Sequence, residues 1–142
     1  MEIEYTLVRQ ILELYNFPVE IIKSLEENGV ILEGEVIPNS RRCPITMDKL
    51  FFDEFRDEVE NPVHGEAKFQ VGHIHPLKGD TLDASLGHTA QNVCWITAEG
   101  NEIQRNRSVE DTQALIMRIS ENYREAGIFE YYEEDGNNAE IS

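Results

Sequence analysis

Positive charge is what this sequence has least of. The chain holds 12 Lys+Arg against 28 Asp+Glu, a formal net charge of −16. Proteins that simply coat nucleic acid carry the opposite balance, so that class is excluded. Cysteine is almost missing. Cys43 and Cys94 lie far apart and neither belongs to a CxxC pair, so no zinc ribbon is expected. In a reducing compartment two free thiols are the default, with Cys94 buried in its strand. No apolar run approaches the ~18 residues that a membrane span needs. The N-terminal MEIEYTLVRQ lacks the charged-then-apolar pattern of a signal peptide. A cytoplasmic protein with no membrane partner is therefore expected. There is no internal repeat. What remains is ordinary for a globular chain: 142 residues, 40% of them hydrophobic, enough for one modest core.

The few cations are not evenly spread. Residues 1–40 carry 2 Lys+Arg and 8 Asp+Glu, and residues 109–142 carry 2 and 9. Residues 41–108 carry 8 and 11, so the centre is nearly balanced and is where an anionic ligand is tolerated.

Within residues 4–16, Val8, Ile11, Leu12 and Tyr15 recur at the spacing of one helix face. Pro18 suits the first turn of a second helix, Val19, Ile22 and Leu25 continue it, and Asn28-Gly29 signals its end. This predicts an N-terminal helical hairpin. Arg9 and Lys23 are its only cations, too few for a DNA-reading helix-turn-helix. Val30–Leu32 reads as a strand or as the closure of the hairpin. Arg41-Arg42 reads as a phosphate contact or as plain surface. Residues 53–60 read as a solvated acidic helix ended by Asn61-Pro62, and His64 as an ordinary loop histidine. Ser108 is a good N-cap for a C-terminal helix, with Glu110 and Asp111 in its first turn. Leu115, Ile116, Ile119 and Tyr123 are expected to form its buried stripe.

Residues 67–107 hold three of the four histidines and the only tryptophan. Alternation over 67–75 predicts a strand with Phe69, Val71, His73 and His75 on one face and Gln70, Gly72 and Ile74 on the other. Pro76 ends it. Residues 92–97 read as a second strand, with Cys94 and Trp95 in the core, and residues 100–107 as a short helix. A hairpin followed by a crossing helix brings His73, Asn92 and Asn101 toward one cleft.

The order Gly72-His73-Ile74-His75-Pro76, then Asn92-Val93, then Asn101 nine residues on with Arg105 behind it, resembles the HNH, or ββα-metal, nuclease family. The flanking Cys-Pro-Ile-Thr, Phe-Gln-Val-Gly-His, Trp-Ile and Gly-Asn runs look most like HNH proteins of restriction systems. The likeness covers about residues 41–108. It implies an α+β fold: an N-terminal helical hairpin, a ββα-metal unit and a C-terminal helix. The corresponding parts are a helical segment 1–40, an HNH-like domain 41–128 and an acidic, flexible tail 129–142.

The resemblance also implies chemistry: hydrolysis of phosphodiester bonds in double-stranded DNA with one divalent metal, Mg²⁺ or Mn²⁺. His73 would be the general base and Asn92 would hold its loop. Asn101 would ligate the metal, while Arg105, Lys78 and Arg107 would neutralise phosphate oxygens. The pattern breaks at Gly72, where the family carries a metal-ligating side chain. Candidates to replace it are His88, Asp80 and Asp83, with His88 favoured and a turn-capping part its alternative. The rival reading is an HNH-like module that binds DNA or protein and has lost catalysis at Gly72. A further expectation is a homo-oligomer formed through the acidic helices.

Overall fold

Asn28-Gly29 does stop a helix, and the way it does so is typical of the N-terminal segment. Gly29 sits at φ 70, Val30 N–H reaches back to Leu25 O at 2.9 Å, and the Asn28 side chain donates to Ser24 O at 2.7 Å. The computed structural model describes residues 2–62, 67–76 and 88–128. His64, Lys78, Asp80, Asp83 and the tail 129–142 lie outside the described residues. Helices α1 (Glu2–Leu12) and α2 (Val19–Glu27) form the hairpin, and α3 (Phe52–Glu60) follows. Strands β1 (Phe69–His73) and β2 (Val93–Thr97) precede α4 (Ala98–Gln104) and α5 (Val109–Glu125). The architecture is α+β, with one two-stranded antiparallel sheet among the described residues. No helix of the described residues is long and apolar enough to cross a membrane.

Three expectations need correction. Helix α1 stops at Leu12 rather than running to residue 16, because Tyr15 is taken by another partner. Its N–H donates to Leu50 O (2.9 Å) and its carbonyl accepts Phe52 N–H (3.0 Å). Val8 is exposed, and the inward face of α1 carries Gln10 instead. Gln10 Nε2 donates to Val93 O (3.2 Å) and its Oε1 accepts Trp95 N–H (3.0 Å). A polar side chain is turned inward because β2 has an unpaired edge whose backbone groups must be satisfied. Finally, Ile119 and Tyr123 of α5 are exposed, so its stripe is half-covered only at Leu115 and Ile116. Residues 30–32 form no strand; Ile31 closes the hairpin into the core.

The sheet register runs from Phe69 opposite Thr97 to His73 opposite Val93. One face carries Phe69 and Trp95, and Phe55 of α3 packs edge-on against both rings at 5.7 and 5.2 Å. The other carries Gln70, Gly72 and Ile96, and α4 covers it. Helix α4 begins two residues before the expected position, because Thr97 Oγ1 caps Gly100 N–H at 3.0 Å. Ser108 Oγ caps α5 through Asp111 N–H at 3.0 Å, as expected. The acidic α3 is more than a solvated face: the Glu58 carboxylate accepts Phe69 N–H at 3.0 Å at the start of β1. Core residues come from the N-terminal segment (Leu12, Leu14, Phe17, Ile31) and from later ones (Cys43, Leu50, Phe52, Ile96) alike. Both cysteines are free and buried, and burial pushes the Cys94 thiol up to about 11.

Candidate active site

Gly72 owes its identity to packing. A Cβ there would lie 2.7 Å from Ile96 Cγ2, and Ile96 is fully buried. The space that a ligating side chain would leave from is filled by the neighbouring strand.

One residue later, His73 ends β1 where two buried amides, Gln104 and Asn92, hold the backbone. Gln104, 3% exposed, donates from Nε2 to His73 O (2.7 Å) and to Arg107 O (3.0 Å). It ties the end of the strand to the turn after α4. Asn92 is fully buried in the 3-10 turn Ala90–Asn92 that leads into β2. Its Oδ1 accepts His75 N–H (2.7 Å) and its Nδ2 donates to His75 O (3.1 Å). Both backbone groups of His75 are held by one side chain, which fixes the chain just beyond His73. Asn101 Nδ2 donates to Gln70 Oε1 at 2.8 Å. Gln104 and Gln70 were invisible to sequence reasoning; each is an ordinary glutamine until its partner is placed beside it.

The His73 imidazole meets His88, with Nε2 2.9 Å from His88 Nδ1. Burial, and secondarily the nearby His88 ring, lower the His73 pKa, so the neutral form is favoured. His73, Asn101, Gln104, Arg105 and Arg107 share a cleft of about 200 Å³, together with Pro76 and Asn106. Arg105 and Arg107 form no ion pair with the described residues; Arg107 donates to Ile103 O at 3.3 Å. Arg105 has left-handed backbone (φ 52), uncommon for a residue other than glycine. His75 is exposed and stands outside the cleft lining. Arg41 is held by Glu13, with Nε 3.0 Å from its carboxylate, so it is not a spare phosphate contact.

Among the described residues no three His, Cys, Asp or Glu side chains gather around a metal position. The donors near the cleft are the Asn101 amide oxygen and the imidazoles of His73 and His88. They fit a divalent ion that takes most of its ligands from water and substrate phosphate, as Mg²⁺ does in phosphate-processing sites. Imidazole ligands would shift such a site toward Mn²⁺.

Neither a protein-family model nor a curated relative matches the sequence. A solved structure described as the crystal structure of a type II restriction endonuclease does match, with a TM-score of 0.53 at 20% identity. The two share a fold. The match covers 84% of this chain and 48% of that one, so the chain spans about half of its neighbour's length.

Proposed function

We propose that the chain is a metal-dependent HNH endonuclease that hydrolyses phosphodiester bonds in double-stranded DNA, as part of a restriction or defence system. The observation that carries this reading is the cleft shared by His73, Asn101, Arg105 and Arg107, with Asn92 bracketing the chain just after His73. The fold shared with a type II restriction endonuclease supports it. With its Nε2–H donated to His88 Nδ1, His73 keeps its lone pair on Nδ1 and takes the proton of the attacking water there. Its lowered pKa keeps it in the neutral form that a base needs. Asn101 Oδ1 would hold a divalent ion together with water and phosphate oxygens; His88, whose Nδ1 accepts from His73, carries its proton on Nε2 and would join as a ligand only by giving up that contact. Such an ion would supply positive charge to the phosphate and to the leaving 3′ oxygen. Arg105 and Arg107, joined by Lys78, neutralise the flanking phosphate oxygens.

The test is cleavage of plasmid DNA in the presence of Mg²⁺ or Mn²⁺. Wild type is expected to nick and linearise the plasmid, and His73→Ala to fall to background. Equal trace activity in the two proteins would sink the catalytic reading. Gly72, packed against Ile96 with no room for a ligand, favours a second reading: a module that binds DNA or protein without cutting it. Calorimetric titration separates the two, because such a module takes up neither Mg²⁺ nor Mn²⁺. Exposed Met117, Ile119 and Tyr123 on α5 favour association of two copies through the acidic helices. A monomer by light scattering ends that part of the proposal.

A further inference from the structure

We infer that Gln70 is a positioning residue that turns Asn101 into an oxygen donor facing the cleft, and thereby sets the cleft to take a cation; the inference rests on the nuclease reading above. An asparagine amide has two ends of nearly equal shape and opposite chemistry. If Asn101 presented its NH₂ to the cleft, it would suit a phosphate and repel a metal. Which end faces outward is decided by what holds the other end.

Here the order is fixed by a short relay. Gln70 Nε2 donates to the Ala67 carbonyl at 3.3 Å, and a carbonyl can only accept. That places Gln70 Oε1 on the α4 side, where it accepts Asn101 Nδ2 at 2.8 Å. With its nitrogen engaged, Asn101 has Oδ1 left over, and that atom takes no hydrogen bond from the described residues. Asn101 itself lines the cleft with His73, whereas Gln70 does not. The strand supports the arrangement sterically. Gln70 and Gly72 share one face of β1, and Ile96 fills the place beside Gly72. Residue 72 cannot reach a cation, so the strand contributes through residue 70, acting on α4 instead of on the ion. Partners that orient a ligating side chain are commonly worth about 10–100-fold in metal affinity.

The experiment is calorimetric Mn²⁺ titration of the full chain carrying Gln70→Met or Gln70→Glu, with thermal melting of each variant. Methionine keeps the length and removes the acceptor. Glutamate keeps an acceptor for Asn101 Nδ2. Gln70→Met is expected to bind Mn²⁺ at least about tenfold more weakly, and Gln70→Glu to bind at least as tightly as wild type. Wild-type affinity in Gln70→Met overturns the inference and leaves the nuclease reading standing, as does weakened binding in both variants. If Gln70→Met melts early, the Gln70→Glu result alone decides in the same way. Failure of the nuclease reading looks different: wild type itself takes up no Mn²⁺, or His73→Ala cleaves as wild type does.

Discussion

Two concavities lie at opposite ends of the β-hairpin, and among the described residues only the larger one holds an ion pair. At the Phe69–Thr97 end, a groove of about 540 Å³ is lined by Arg42, Lys49, Glu54 and Lys68. Lys68 pairs with Glu54 at 3.1 Å, and Arg42 donates to Met47 O at 2.8 Å. Arg42 and Lys49 both lie over the Tyr15 ring, at 5.9 and 5.1 Å from its centroid. At the His73 end, the cleft is less than half that size, yet its arginines have no acidic partner among the described residues and its histidine is kept neutral. Size follows from how helices and loops leave gaps. Reactivity follows from which polar groups folding leaves uncommitted.

The sharpest way to break this contrast is to empty each concavity in turn. His73→Ala should lower plasmid cleavage by about 10²–10⁴-fold, the usual worth of a general base. Lys49→Ala should change it by no more than about twofold, as for a surface substitution away from the chemistry. If the Lys49 variant loses more activity than the His73 variant, the wrong concavity has been chosen.

The next effect is on stability as well as activity. Asn92→Ala removes a fully buried side chain and leaves His75 N–H and C=O without their partner. Two lost hydrogen bonds of this kind should cost about 1–3 kcal/mol in urea unfolding, and cleavage should fall because the chain beyond His73 is released. Full activity with reduced stability would make Asn92 a packing residue alone.

These residues also divide what was legible in the sequence from what was not. The hairpin, the Ser108 cap, and the approach of His73 and Asn101 follow from periodicity, turn residues and spacing, all of which are local. Gln10 could not be read that way: on α1 it breaks the apolar stripe, and its reason is the unpaired edge of β2 some 83 residues away. The same holds for Gln70, whose partner is on α4, and for Gly72, which is explained by Ile96 across the strand pair. The stripe on α5 was misplaced for the converse reason. Periodicity marks an apolar face, but another part of the chain has to arrive to cover it, and here Ile119 and Tyr123 stay exposed.

A smaller effect separates the two histidines. In the proposed mechanism neutral His73 is the active form, and burial followed by the His88 ring lowers its pKa. The acid limb of the pH–rate profile should therefore lie below the ordinary imidazole value of ~6.5. Removing the second imidazole with His88→Ala should move the limb upward, though not fully to that value, because burial is the larger cause. The linkage to stability has the matching sign. A histidine with a lowered folded pKa contributes stability above its unfolded pKa, and that contribution is lost as pH falls through the folded one. A limb above ~6.5 in wild type would contradict the neutral assignment.

The smallest effect tests whether the cleft's uncommitted arginine is kept at a cost. Arg105 closes α4 at φ 52 and ψ −118, a region where a side chain is strained by about 1 kcal/mol or more. Its own N–H still bonds to Asn101 O at 3.0 Å, so glycine can take over the backbone without loss of that bond. Arg105→Gly should raise stability by a few tenths to about 1 kcal/mol, the relief of strain being partly offset by glycine's greater freedom when unfolded. The same variant should bind DNA more weakly, with the salt dependence of log K reduced by about one charge. The pairing of the two outcomes is what matters. Gained stability with weakened, less salt-sensitive binding marks a side chain held in a poor backbone conformation for the sake of a phosphate. Unchanged binding would put Arg105 in the same class as Arg42, a cation that rests on the protein's own carbonyl and ring groups.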